Sequence, residues 1–165
     1  MNLRSSLQAL PERFWSNETV CLRPMKTEAD LIFAANECQL TKEQREFVNP
    51  VWFSVGRAYL EPEKHWPCVI CTTDGERIGF LDFYCWNGGE EATSWSFFID
   101  LKQQGKGYGR AAAALAGKLL KAACPQTPIK LAVEPDNTAA QRLYCVLGFS
   151  QLAETDGDDL VFSVE

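Results

Sequence analysis

The chain is 165 residues long, a length that fits one domain burying most of the surface it exposes when unfolded. Hydrophobic residues make up 46% and charged residues 23%, an ordinary globular composition. The formal charge of −6 disfavours a nucleic-acid or anionic-membrane partner and suits a cationic substrate.

From Asn2 to Phe14, the residues Leu3, Leu7, Leu10 and Phe14 recur at three- and four-residue intervals, one helical stripe interrupted by Pro11. The stripe reads as a packing extension over residues 1–17, ahead of a core over 18–165; a partner-binding helix is the alternative. Met1 to Leu10 lacks the apolar run of a signal peptide, and no stretch reaches transmembrane length, so a cytoplasmic protein without a membrane partner is expected. Seven cysteines, an odd count, then read as reduced thiols.

Thr19 to Pro24 reads as a first strand, and Thr27 with Asp30 as a capping box opening a helix through Leu31–Ala35. A second helical stretch, about Lys42 to Ala58, is kinked or split near Pro50 and carries Glu43 and Glu46, with Glu61 and Glu63 just beyond. Strands at Pro67–Thr72, Arg77–Trp86 and Thr93–Asp100 are punctuated by Asp74-Gly75 and Asn87-Gly88-Gly89, the signature of an antiparallel meander. A helix over Gly107–Ala123 stops before Pro125, and Ile129–Val133 is a short buried strand. A helix over Thr138–Leu147 ends at Gly148, a left-handed cap, and Gln151–Thr155 with Leu160–Val164 form a last hairpin. With no repeat or linker, residues 1–165 read as one domain.

Gln104-Gly105-Lys106-Gly107-Tyr108-Gly109-Arg110 runs directly into Ala111–Leu115. Glycines there leave N–H groups pointing outward at the positive end of a helix dipole, which is built to hold a pyrophosphate. The stretch lacks the dinucleotide spacing Gly-x-Gly-x-x-Gly, because Ala112 stands at the last position, and it lacks the Gly-Lys-Ser/Thr ending of a P-loop. A tight ligand-free turn is the plain structural alternative.

The loop resembles the acyl-CoA signature Gln/Arg-x-x-Gly-x-Gly/Ala of the GCN5-related N-acetyltransferases (GNAT) at Gln104, Gly107 and Gly109. The family's later pattern, Asn-x-x-Ala-x-x-Leu-Tyr-x-x-Leu-Gly-Phe, is matched at Asn137, Ala140, Leu143, Tyr144, Leu147, Gly148 and Phe149. The resemblance implies an α+β fold with a single mixed, mostly antiparallel sheet, flanked by helices and splayed between its fourth and fifth strands. It implies acetyl-CoA in the gap, with the backbone of Phe98, Ile99 and Leu101 along the pantetheine arm and residues 104–110 (Gln104, Gly105, Lys106, Gly107, Tyr108, Gly109, Arg110) on the pyrophosphate. Asn137 is expected to cap its helix and reach the arm. A homodimer is an assembly that the family allows.

Tyr144 shares a helix face with Ala140 and, one turn back, Asn137. A phenol there stays protonated at neutral pH and can donate to a departing coenzyme sulfur as charge develops on it, although full transfer to a free thiolate, whose acid is near pKa 8.5, is uphill by about 1.5 units from a phenol near 10. A buried core tyrosine is the alternative. Making a lysine-like amine neutral at pH 7 costs about 4–5 kcal/mol, so a base or a water relay is expected. Where histone-type members carry a glutamate this chain has Thr93; Glu91, of the same strand parity, and Asp82 are the candidate bases, each with a solvated strand-end charge as its alternative.

His65 and the Cys68/Cys71 pair do not make a metal site: residues three apart on a strand face opposite sides and no second pair follows. The lone His65 also excludes any site needing two histidines. Segments at Glu46–Asn49, Ala58–Glu63 and Trp95–Asp100 resemble the branch holding bacterial spermine/spermidine acetyltransferases, though Ser96 stands where that branch commonly has a basic residue. A small-molecule amine is therefore the expected substrate, with Glu43, Glu46 and Asp82, together with Glu61 and Glu63, as candidates to line a channel for a polycation; a solvated glutamate-rich face is the alternative. A protein N-terminal acetyltransferase and a non-catalytic acyl-CoA sensor are the alternatives.

Overall fold

The computed structural model describes residues 1–88 and 91–164. Among them, seven strands form one sheet: β1 (Val20–Pro24), β2 (His65–Thr72), β3 (Arg77–Cys85), β4 (Thr93–Ile99), β5 (Ile129–Val133), β6 (Ser150–Asp156) and β7 (Asp159–Val164). Their spatial order is β1-β2-β3-β4-β5-β7-β6. Every neighbouring pair is antiparallel except β4 with β5, so the sheet is mixed, as expected. The turn after β3 includes Asn87 and Gly88; the third member of that turn signal, Gly89, lies outside the described residues.

Helices cover both faces. On one face lie α1 (Leu3–Gln8) and α5 (Tyr108–Ala123). The run Ala111–Ala114 costs little to make helical, and α5 buries Ala112, Leu115, Ala116, Leu119 and Leu120 at three- and four-residue spacing. That stripe packs with Leu3 and Leu7 of α1 against Ile70, Leu81 and Phe83. The N-terminal stripe is thus core material.

The other face carries α2 (Glu28–Ile32), α3 (Lys42–Glu46) and α4 (Val51–Leu60), and the last helix is α6 (Thr138–Val146). The stretch from Lys42 divides because Pro50 lacks an amide hydrogen and stands at the N-cap of α4, with Phe47–Asn49 crossing between the helices. Ala34, Val51 and Phe80 form a second, smaller core beneath this layer, with Phe98 packed against it. β2 begins earlier than the apolar pattern indicates, because His65 pairs in register with Tyr84. Gly79 lets β3 approach β4 closely; a Cβ there would collide with the Phe98 carbonyl oxygen.

Asp30 ties the two layers together. Its carboxylate, fully buried, takes two bonds of 2.8 Å from the Arg23 guanidinium and one of 2.8 Å from Arg77 Nε. It also accepts from the amides of Lys26 and Thr27, while Thr27 Oγ1 accepts from the Asp30 amide and completes the capping box. The Arg23 bonds outweigh the cost of burial and hold Asp30 well below the usual carboxylate range.

A carboxyl with a lowered folded-state pKa adds stability that is complete above about pH 4 and is lost as the pH falls below it. Asp30→Asn is expected to cost about 3–5 kcal/mol at pH 7 and to flatten the acid side of the melting-temperature profile. Thermal melts from pH 3 to 7 check this; an unchanged acid limb contradicts it.

Candidate active site

β4 and β5 share a single register pair, Thr93 with Ile129, and then part. Each is fully engaged on its other side: β4 pairs with β3 from Thr93 to Ile99, and β5 with β7 from Ile129 to Val133. Strand alternation decides what faces the gap. The Thr93 amide donates toward β5, to Pro128 O at 2.9 Å, and the Asp100 amide donates toward β3, to Ile78 O at 2.8 Å. Phe97 and Ile99 therefore turn their backbone groups into the gap, while Phe98 turns its own toward β3 and offers a side chain to the groove. The Leu101 amide is taken by Gln39 O at 2.8 Å.

The gap holds two contiguous spaces. The outer groove, about 460 Å³, runs between Thr41, Glu43 and Gln44 on one side and Asp136–Ala139 on the other, with Phe97–Ile99 and Gln104 along its floor. The inner cavity, about 280 Å³, reaches Tyr84, Trp95, Ser96, Tyr144 and Asp159. Phe47, Val48, Phe97, Asn137 and Ala139 border both.

At the outer end, Gly105 and Gly107 take φ values of +76° and +86°, a left-handed backbone that suits glycine. Gly107 is the N-cap of α5, so the first-turn amides, including Tyr108, Gly109 and Arg110, have no partner within the helix and point outward as anion donors. Lys106 and Arg110 are exposed beside them. Gln104 turns inward: its Nε2 donates to Ile99 O at 2.9 Å, and its amide exchanges two bonds with Gln44, at 2.9 and 3.2 Å. This clasp joins α3 to the glycine loop. Gln44 carries no motif of its own, and only its capping spacing after Thr41 marks it in the sequence.

At the inner end, Asn137 Oδ1 caps α6 through the Ala140 amide at 3.2 Å, while Asn137 borders both spaces. Tyr144 is buried against Trp95 and Phe149, with ring centroids 6.2 and 5.7 Å away. Burial pushes its phenol above the ordinary range, with the neighbouring Tyr84 adding to the rise and the Trp95 indole opposing it. The group is protonated at any working pH, as an acid must be.

The carboxylates divide by position. Glu43 lines the outer groove; Glu46 is exposed and lines neither space. Glu91 lies exposed in the turn before β4 and lines neither space. Asp82 is no strand-end charge: it sits mid-strand in β3, 2% exposed, beneath α4. Asp159, which carries no motif, borders the inner cavity at the start of β7. Cys68 and Cys71 are buried free thiols pushed upward by burial, and among the described residues no cluster suits a metal ion.

The family model of the acetyltransferase (GNAT) family matches residues 33–149. Similar solved structures include an acetyltransferase from Agrobacterium tumefaciens, at 18% identity, covering 91% of this chain and 92% of that one, with a TM-score of 0.70. Spermidine N-acetyltransferase from Vibrio cholerae, solved with CoA and spermine, is 18% identical over 89% of this chain and 95% of that one, TM-score 0.67. RimJ from Mycobacterium smegmatis, solved with CoA-disulfide, is 22% identical over 88% and 81%, TM-score 0.70. At these identities they show the fold. No curated protein matches the chain in sequence.

Gly107→Ala forces an L side chain into the left-handed region, a cost of about 1–2 kcal/mol. We expect acetyl-CoA affinity to fall about tenfold by calorimetry. An unchanged affinity contradicts a loop whose amides must hold this geometry.

Proposed function

Since the chain belongs to the acetyltransferase (GNAT) family and is an acetyl-CoA-dependent N-acetyltransferase, we propose that its acceptor is a small cationic amine of the polyamine class. The observation that carries this reading is the placement of carboxylates along one continuous gap. Asp159 stands at the inner cavity and Glu43 at the outer groove, with Asp156 and Asp158 on the hairpin beside Asp159. A substrate with several ammonium groups can satisfy more than one of these charges, whereas a single-charge amine satisfies one. The formal charge of −6 adds a long-range attraction for a cation.

Acetyl-CoA supplies an activated thioester. The chain's own contribution is to hold it and to move protons around it. The backbone of Phe97 and Ile99 offers a strand edge to the pantetheine amides, in the manner of an added β-strand. The amides of Gly107–Arg110 face the pyrophosphate. Asn137 keeps α6 in place and faces the arm. Tyr144 donates its proton to the departing sulfur, in a site where burial keeps the phenol neutral until the thiolate forms.

Thiol release from acetyl-CoA, measured against spermidine, spermine, simple diamines, amino acids and short peptides, tests the reading. Turnover is expected on the polyamines, with Tyr144→Phe lowering kcat about 100-fold at retained acetyl-CoA affinity. Asp159→Asn is expected to raise KM for the polyamine and leave kcat near its original value. Turnover on peptides alone identifies a protein acetyltransferase instead, and coenzyme binding without turnover on any amine identifies a sensor.

A further inference from the structure

Beneath α4 the sheet carries a buried polar patch on the face opposite α5. Cross-strand register sets it side by side: His65 pairs with Tyr84, Tyr84 with Ser94, and Asp82 with Ser96. Paired residues on neighbouring strands hold their Cβ atoms about 5 Å apart on the same face. His65 and Ser94 are fully buried and Asp82 is 2% exposed. His65 Nδ1 lies 3.7 Å from Asp82 Oδ2, and the His65 ring stacks on Tyr84 with centroids 6.1 Å apart. Tyr84 and Ser96, on that same face, also line the inner cavity beside Tyr144.

Four buried polar atoms of this patch have no hydrogen-bond partner: both ring nitrogens of His65, Asp82 Oδ1 and Ser94 Oγ. Each such atom is costly to bury if nothing pairs with it. The same chain shows what a purely structural buried carboxylate looks like, since Asp30 is bonded by two arginines and two amides. Asp82 has nothing comparable. A patch left open in this way, next to a reaction cavity, has the form of a place where water and a travelling proton complete the bonding.

We propose that the buried His65–Asp82 pair takes the proton that the acceptor ammonium must lose before attack, with Ser96 and Tyr84 joining the pair to the cavity through water. The inference rests on the amine acetylation proposed above, with the amine attacking the thioester directly and Tyr144 as the acid, and it supplies the missing base. The ammonium carries three protons and the amide product one, so two leave. One replaces the proton that Tyr144 gives to the sulfur as the C–S bond breaks and the C–N bond forms. The other goes to the His65–Asp82 pair and from there to solvent, so the net reaction releases one proton.

The electrostatic surroundings agree with this role. Burial raises the Asp82 carboxyl, and His65, Ser54 and Arg57 draw it part of the way back. The groups facing the patch are His65 from β2, Ser54 and Arg57 from α4, and Tyr84 from β3 itself. Asp156 acts on Tyr84 from the far hairpin, Glu61 meets His65 from the end of α4, and the Cys68 thiol lies within reach of the Asp82 charge. Arg57 also lies over the Tyr84 ring, 5.7 Å from its centroid.

The test compares two acceptors that differ in basicity, a polyamine and a weakly basic amine that is already neutral at pH 7. Asp82→Asn and His65→Gln are each expected to lower turnover of the polyamine about 100-fold at pH 7, to regain it as pH rises, and to keep most turnover of the weakly basic amine. Tyr84→Phe is expected to show the same pattern more weakly. His65 is the lone histidine, so its ring gives one set of imidazole NMR signals. Those signals are expected to shift over the pH range in which the polyamine rate rises, and to lose that response in Asp82→Asn. Equal losses for both amines at every pH, or no loss, overturn the proposal, as does a His65 signal that ignores pH over the range of the rate profile. A polyamine that is not turned over by the original chain, while the weakly basic amine is, points instead to a wrong substrate class; in that case the His65 signal still decides the pair's role, overturning it if Asp82→Asn leaves the pH response of that signal unchanged.

Discussion

The parting of β4 from β5 is the constraint on which the rest of the structure depends. A sheet does not open at its centre without cost, since backbone groups lose partners there. Here each strand is supported on its other edge, β4 by β3 along its whole length and β5 by β7 along its own, so the fold tolerates the opening between them. Only Thr93 and Ile129 stay paired and serve as the apex. What remains is an internal strand edge, with Phe97 and Ile99 presenting amides and carbonyls in the middle of a fold. Ile99 O is partly satisfied by Gln104, which is itself clasped to Gln44. A ligand with amides of its own is the natural complement to such an edge.

Each helix terminus and loop around the gap follows from that opening. Asn137, the cap of α6, borders both spaces, and Gly107, the cap of α5, follows three residues after Gln104, which lines the outer groove. α3 is joined to the start of the glycine loop by the Gln44–Gln104 bonds, and both residues line the outer groove. Two of the buried carboxylates differ sharply in how they are bonded. Asp30 is saturated and fastens α2 to β1 and β3, whereas Asp82 is left underbonded beside the cavity.

Much of this was legible in the residues. The glycine loop and the Asn137–Phe149 pattern implied the family, and with it the splayed mixed sheet that the strand register displays. Thr27 with Asp30, and Gly148 after its helix, were readable because caps are local chemistry. Other features depend on contacts far apart in sequence. Alternation along β4 could be counted, but which parity faces β5 is fixed by the Thr93–Pro128 bond, so the backbone of Phe97, which the family pattern alone did not single out, shares the gap with Ile99. The burial of Asp82 is set by α4 lying across β3, and the apolar residues around it in Gly79–Tyr84 give no sign of a polar patch. The Gln44–Gln104 clasp spans 60 positions and leaves no local trace.

The most direct measurement is residue-resolved hydrogen exchange of the backbone amides with and without coenzyme A. If the ligand completes the open strand edge, the amides of Phe97 and Ile99 and those of the Gly107–Arg110 turn slow together on binding, while Phe98, already directed toward β3, changes little. Protection elsewhere, with Phe97 and Ile99 unchanged, contradicts the account.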